Sequence, residues 1–124
     1  MVRVEKYRNK NGNCPLDDFI KELLNDHLIE EIALINHNIK LLENFGCELR
    51  NMYPKLIKKL GFDIYELRIK KGNNRILYFY YDKGERKFVL LHGFKKKDEK
   101  TPKSQIEKAK NEMKDYLQKE EKIK

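Results

Sequence analysis

The sequence predicts an α+β fold, a mostly antiparallel sheet packed against helices in the order β-α-α-β-β-β-α. Three observations predict it. Between residues 65 and 94 apolar side chains recur at every second position, the period of a strand, in runs separated by tight turns. Apolar stripes of helical period lie on either side of that region. The connections between the strand runs are too short for a crossover, so neighbouring strands must pair antiparallel.

Each element has its own signal. Val2 and Val4 alternate with Arg3 and Glu5 in a short strand over residues 2–8, which Asn11-Gly12-Asn13 ends. Pro15 suits the first residue of a helix, although Cys14 is a poor cap. Leu16, Phe19, Ile20, Leu23 and Leu24 make its stripe, and Asp17 and Asp18 favour its dipole. A second helix is expected over 27–45, with Leu28, Ile32, Ile35, Ile39 and Leu42 on one face and Gly46 at its C-terminus. The two helices are expected to form a hairpin laid on the sheet.

After Pro54 the period changes. Leu56 to Leu60 offers a short additional strand. Tyr65, Leu67 and Ile69 alternate with Glu66, Arg68 and Lys70, as in a half-buried strand. Lys71-Gly72-Asn73-Asn74 turns the chain into Arg75–Tyr81, and Asp82-Lys83-Gly84-Glu85 turns it again into Lys87–Phe94. Thr101-Pro102 reads as an N-cap hydroxyl followed by proline. Ile106, Ala109, Met113, Tyr116 and Leu117 then form the face of a last helix. One domain over 1–117 is expected, with a basic tail at 118–124 that frays.

Composition narrows the function classes. The 124 residues carry a net charge of +8. Residues 1–49 hold six Lys/Arg and nine Asp/Glu, a net of −3, and residues 50–124 hold twenty-two and eleven, a net of +11. A segment so basic attracts phosphate backbones, RNA before DNA in this reading. Apolar runs are too short to span a bilayer, and Met1-Val2-Arg3-Val4-Glu5 has no signal-peptide h-region, so the cytoplasm is expected and no membrane. Cys14 and Cys47 form no CxxC pair, and His27, His37 and His92 no ligand motif. No metal and no cofactor are expected.

The candidate chemistry is basic. Arg68 shares a strand face with Glu66, and Arg75 opens the neighbouring strand, so two guanidiniums come close and favour an anion. His92 is of the residue type that suits a general acid or base. Phe94 can stack on a base, and Lys95, Lys96 and Lys97 can hold phosphates. RNA cleavage at such a surface needs no metal, because the 2′-hydroxyl itself attacks the adjacent phosphate.

Three segments carry a resemblance. Leu60-Gly61-Phe62-Asp63-Ile64-Tyr65-Glu66-Leu67-Arg68 is similar to the LxxGLxELR segment of the phage-derived HigB-like toxins of the RelE/ParE superfamily. Asn74-Arg75-Ile76-Leu77-Tyr78-Phe79 resembles their R-x-x-Y-F strand. Residues 90–97, then Lys100-Thr101-Pro102 and Ile106-Glu107-Lys108-Ala109, resemble their LLHGFxKKTxKTPxxEIExA block, with Asp98 where that family often has Thr.

The resemblance implies a RelE-like fold and a ribosome-dependent mRNA endonuclease. Such a protein is the toxin of a type II toxin–antitoxin pair, neutralised by a small antitoxin, often of helix-turn-helix type. Carried over, Arg68 and Arg75 match strand arginines used for phosphate binding or catalysis, and His92 with the lysines after it the other edge of the site. Arg68, Arg75 and His92 are the catalytic candidates, and Glu66, Phe94, Lys95, Lys96 and Lys97 the RNA-binding ones. A ParE-type gyrase inhibitor without nuclease chemistry and a non-catalytic RNA- or ribosome-binding module are the alternatives.

Overall fold

The computed structural model describes residues 2–123. The order is β1 (Arg3–Lys6), α1 (Pro15–Asn25), α2 (Ile29–Phe45), α3 (Leu49–Met52), β2 (Ile57–Gly61), β3 (Ile64–Ile69), β4 (Asn74–Asp82), β5 (Arg86–Lys95) and α4 (Lys103–Ile123). The short strand anticipated at 56–60 is therefore real, and the order gains a strand over β-α-α-β-β-β-α. The five strands form one mixed α+β sheet in the order β1-β5-β4-β3-β2. All pairs are antiparallel except β1 with β5. Three helices and three strands separate β1 from β5, so the chain has ample length for parallel pairing.

Both faces of the sheet are covered. On one, Leu16, Phe19 and Leu23 of α1 and Ile35 and Leu42 of α2 bury against the sheet, including Ile76 and Leu90. On the other, Ala109 and Tyr116 of α4 close a core with Ile64, Leu77, Phe79 and Leu91. Strand β3, expected to be half-buried, is thus covered on both sides, Glu66 included. Residues 118–123, expected to fray, continue α4 as helix to Ile123, and Lys124 lies outside the described residues. Among the described residues no helix is long and apolar enough to cross a membrane.

A bulge in β5 decides which residues face which core. Leu77 pairs with His92 but Tyr78 pairs with Leu90, so Leu91 has no direct partner. One extra residue reverses the alternation. Phe88 and Leu90 face α1 and α2, whereas Leu91 and Phe94 face α4. Gly93 turns toward α1, and a Cβ there would stand 2.4 Å from Phe19 Cδ2 and 2.9 Å from Ile76 Cδ1. Glycine inside a strand here marks the close approach of a helix.

Gly93→Ala should therefore destabilise the protein by about 1–3 kcal/mol through overpacking. Urea unfolding checks this. A midpoint equal to that of the wild type would mean that α1 stands off the sheet.

Candidate functional site

The strand register assembles the basic cluster. Arg68 and Arg75 are direct partners across β3 and β4, and Glu66 lies one cross-strand step away on the same face. Two like charges set opposite each other are destabilising unless a counter-charge intervenes. Glu66 supplies it and is 0% exposed. Arg75 Nε donates to Glu66 Oε1 at 3.0 Å and Arg68 Nε to the same oxygen at 3.4 Å. Arg75 Nη1 also donates to the Asn74 carbonyl at 2.9 Å. The arginine side chains are 11% and 30% exposed, so both guanidiniums reach solvent past the buried carboxylate.

Two further groups join them. Thr101 Oγ1 donates to Glu66 Oε2. The hydroxyl expected to cap α4 is thus spent on the strand, and Pro102 supplies the carbonyl that accepts from the amides of Gln105 and Ile106. Lys96, 6% exposed, stands within electrostatic reach of Glu66, Arg75, Arg68 and Lys58. Burial holds both the Arg75 guanidinium and the Lys96 ammonium below their ordinary ranges, and Glu66 opposes that shift in each. Four cations face one carboxylate, an arrangement that can take up an anion of charge −1 or −2 without rearranging the strands.

The hairpin that carries Arg75 is fixed from the other side of the sheet. Glu31 of α2 accepts from Asn74 Nδ2 at 2.8 Å and from Lys95 Nζ at 2.5 Å. Gly72, at φ +76°, passes so close that a Cβ would overlap the Glu31 carboxylate. Lys95 is therefore a brace for the turn and not part of the arginine cluster. Asn74 and Glu31 had no signal in sequence, because their partners lie far along the chain.

The remaining predicted residues separate. His92 is 1% exposed between β5 and α4. Its Nδ1 lies 2.5 Å from Glu112 Oε1 and its Nε2 2.8 Å from Gln105 Oε1. A side chain so enclosed, with both ring nitrogens engaged, anchors α4. Phe94 is a buried member of the core under α4, not a free stacking platform. Lys97 lines a groove of about 1200 Å³ between α1 and α4. Asp18, Glu22, Asp26, Glu107 and Glu112 line it against Lys95, Lys97 and Lys108. Its acidity disfavours a phosphate backbone. The predicted residues held together are thus Glu66, Arg68, Arg75 and Lys96.

A family model described as "Phage derived protein Gp49-like" matches residues 22–114. The match spans α2 to most of α4 and includes every residue of the basic cluster. No curated protein matches the chain.

Removing the shared carboxylate tests the cluster. Glu66→Ala should cost about 2–4 kcal/mol, somewhat less than for a fully buried pair because Arg68 is partly solvated. Added inorganic phosphate should recover part of that loss by binding the freed guanidiniums. Thermal unfolding with and without phosphate measures both effects, and a variant no more phosphate-dependent than the wild type would count against an anion site.

Acid should weaken the brace. Hydrogen bonds from Lys95 and then Asn74 hold the Glu31 carboxyl below its ordinary 4.5. A group depressed by folding contributes stability above its unfolded pKa and loses it as pH falls through the folded value. Stability should therefore drop below about pH 4.5, and Glu31→Gln should flatten that drop in urea titrations across the acid range.

Proposed function

Because the chain belongs to the phage-derived Gp49-like family, which is associated with RelE-like toxins of toxin–antitoxin systems, we propose that it is such a toxin and cleaves mRNA on the ribosome. The observation that carries this reading is the pair of facing arginines that share one buried carboxylate. A cognate antitoxin, a small protein of helix-turn-helix type, is the partner this reading implies.

In this reading the scissile phosphate binds Arg68 and Arg75, with Lys96 behind them. Preorganised cations at the place where negative charge grows are the largest lever available to such a site. Arg75 is the better placed of the two, since its backbone and side chain are fixed by Asn74 and Glu66. Glu66, enclosed and bonded on both oxygens, keeps the two guanidiniums in place, and the 2′-hydroxyl gives up its proton to solvent water. The 2′-oxygen then attacks phosphorus and the bond to the 5′-oxygen breaks, leaving a cyclic phosphate and a 5′-hydroxyl. Lys96, whose ammonium burial makes more acidic, is the group to protonate the departing oxygen. His92 serves from behind, by holding α4 and therefore Thr101 over Glu66.

Arg75→Ala should abolish growth arrest while the protein stays folded and still binds its antitoxin. In primer extension on translated mRNA, cleavage should fall about 10²–10³-fold, the usual cost of one such electrostatic contact. Arrest that persists without mRNA cleavage but with a DNA-damage response would favour gyrase inhibition instead.

A further inference from the structure

The opposite face of β2 and β3 carries a second feature that the arginine cluster does not use. Tyr65 and Tyr78 stack with centroids 5.6 Å apart and planes 24° from parallel. Phe88 meets Tyr78 edge-on, and Tyr80 leans on Phe88. These rings floor a slot of about 180 Å³ whose rim includes Arg50 and Asn51 of α3. The slot has room for about six waters, less than a drug-sized ligand occupies. Arg50 stands over Tyr65 with its guanidinium carbon 5.8 Å from the ring centroid.

The slot opens into a groove of about 730 Å³, and Arg50, Asn51 and Ile57 line both. The groove crosses the free edge of the sheet at β2, past Lys58 and Lys59, and ends at Arg68. Lys58 pairs with Glu66 and Lys59 with Tyr65, so the two lysines sit on opposite faces of the edge strand. Among the described residues, no carboxylate lines slot or groove. Edge lysines guard a sheet against pairing with another chain. That role accounts for Lys58 and Lys59, and core packing accounts for Tyr78 and Phe88, but neither accounts for Arg50 over the half-buried Tyr65. A planar ring bearing phosphates on either side fits all of them.

We propose that slot and groove hold single-stranded RNA, one unpaired base taking the face of Tyr65 that Arg50 covers, with the Arg50 guanidinium moving out to lie over the base, and the flanking phosphates on Lys58, Lys59 and Arg68. Stacking on an aromatic ring and a cationic track along the backbone are the two components of sequence-tolerant single-strand binding. The groove ends on Arg68, which shares Glu66 with Arg75, so the strand runs on over the sheet edge into the arginine cluster. The proposal concerns binding alone. It goes beyond the cleavage reading and stands even if Arg75→Ala leaves growth arrest unchanged.

The test is fluorescence anisotropy with the whole protein and a short labelled oligoribonucleotide whose 2′-hydroxyls are methylated, so that it cannot be cut. Tyr65→Leu should weaken binding about tenfold, the loss of one stacked base, whereas Tyr65→Phe should bind like the wild type. Arg50→Ala should weaken it several-fold. Lys58→Ala with Lys59→Ala should lower the slope of log Kd on log salt by about 1.4, two phosphate contacts at roughly 0.7 each. If circular dichroism finds Tyr65→Leu unfolded, Tyr80→Leu and Arg50→Ala decide the matter. Wild-type affinity in the folded slot variants overturns the proposal. So does a result in which those variants lose antitoxin binding yet keep RNA binding, since the slot would then receive a protein.

Discussion

A carboxylate with no exposed surface holds two strands, one loop and one helix start in register. Glu66 takes Arg68 and Arg75 on one oxygen and Thr101 on the other. Breaking such a group's partnerships is expensive, because it would leave charge uncompensated in a region of low dielectric. The arrangement is consequently rigid, and it is also unbalanced. The single negative charge holds two guanidiniums, with Lys96 and Lys58 nearby, and the excess of positive charge faces the solvent. The groups that hold the strands in register are therefore also the ones that carry the excess positive charge.

The helices set the limits of that site. The lower half of the α4 face is closed by Ala109 and Tyr116, and His92 pins the helix through Glu112 and Gln105. At its start α4 does not cover the cluster but reaches it only with Thr101. On the other side of the sheet, α2 sends Glu31 into the β3–β4 turn. The mildly acidic first half of the chain thereby supports the basic second half, with the sheet between them. Acidic residues of α1 and α4 line the groove between those two helices, whereas no carboxylate among the described residues lines the groove at the β2 edge.

Much of this was legible because it is local. Pro15 and the Leu16–Phe19–Leu23 stripe mark α1, and Gly46 ends α2 where expected. The alternation of Tyr65 to Ile69 marks β3, and the tight turn after it dictates that Arg68 and Arg75 become neighbours. What misled was also local. Phe88, Leu90, His92 and Phe94 alternate as though they shared a face, but the bulge at Leu91 moves His92 and Phe94 to the other side. Thr101-Pro102 has the form of a cap, yet the hydroxyl finds a carboxylate thirty-five positions earlier. Lys95, Lys96 and Lys97 look like one basic run, and the backbone sends them to Glu31, to the arginine cluster and to the acidic groove.

The sequence by itself determined the class of fold, the strand register at the hairpin and the identity of the paired arginines. Periodicity, turn residues and short-range pairing depend on neighbours a few positions apart. The tertiary structure alone decided that Arg68 and Arg75 share one buried glutamate. It also decided that His92 is an anchor and that Arg50 meets the tyrosines across the β2 edge. Those outcomes depend on which face of the sheet each helix covers. Coverage follows from the summed burial of distant apolar stripes and from a one-residue bulge, neither of which the local pattern encodes.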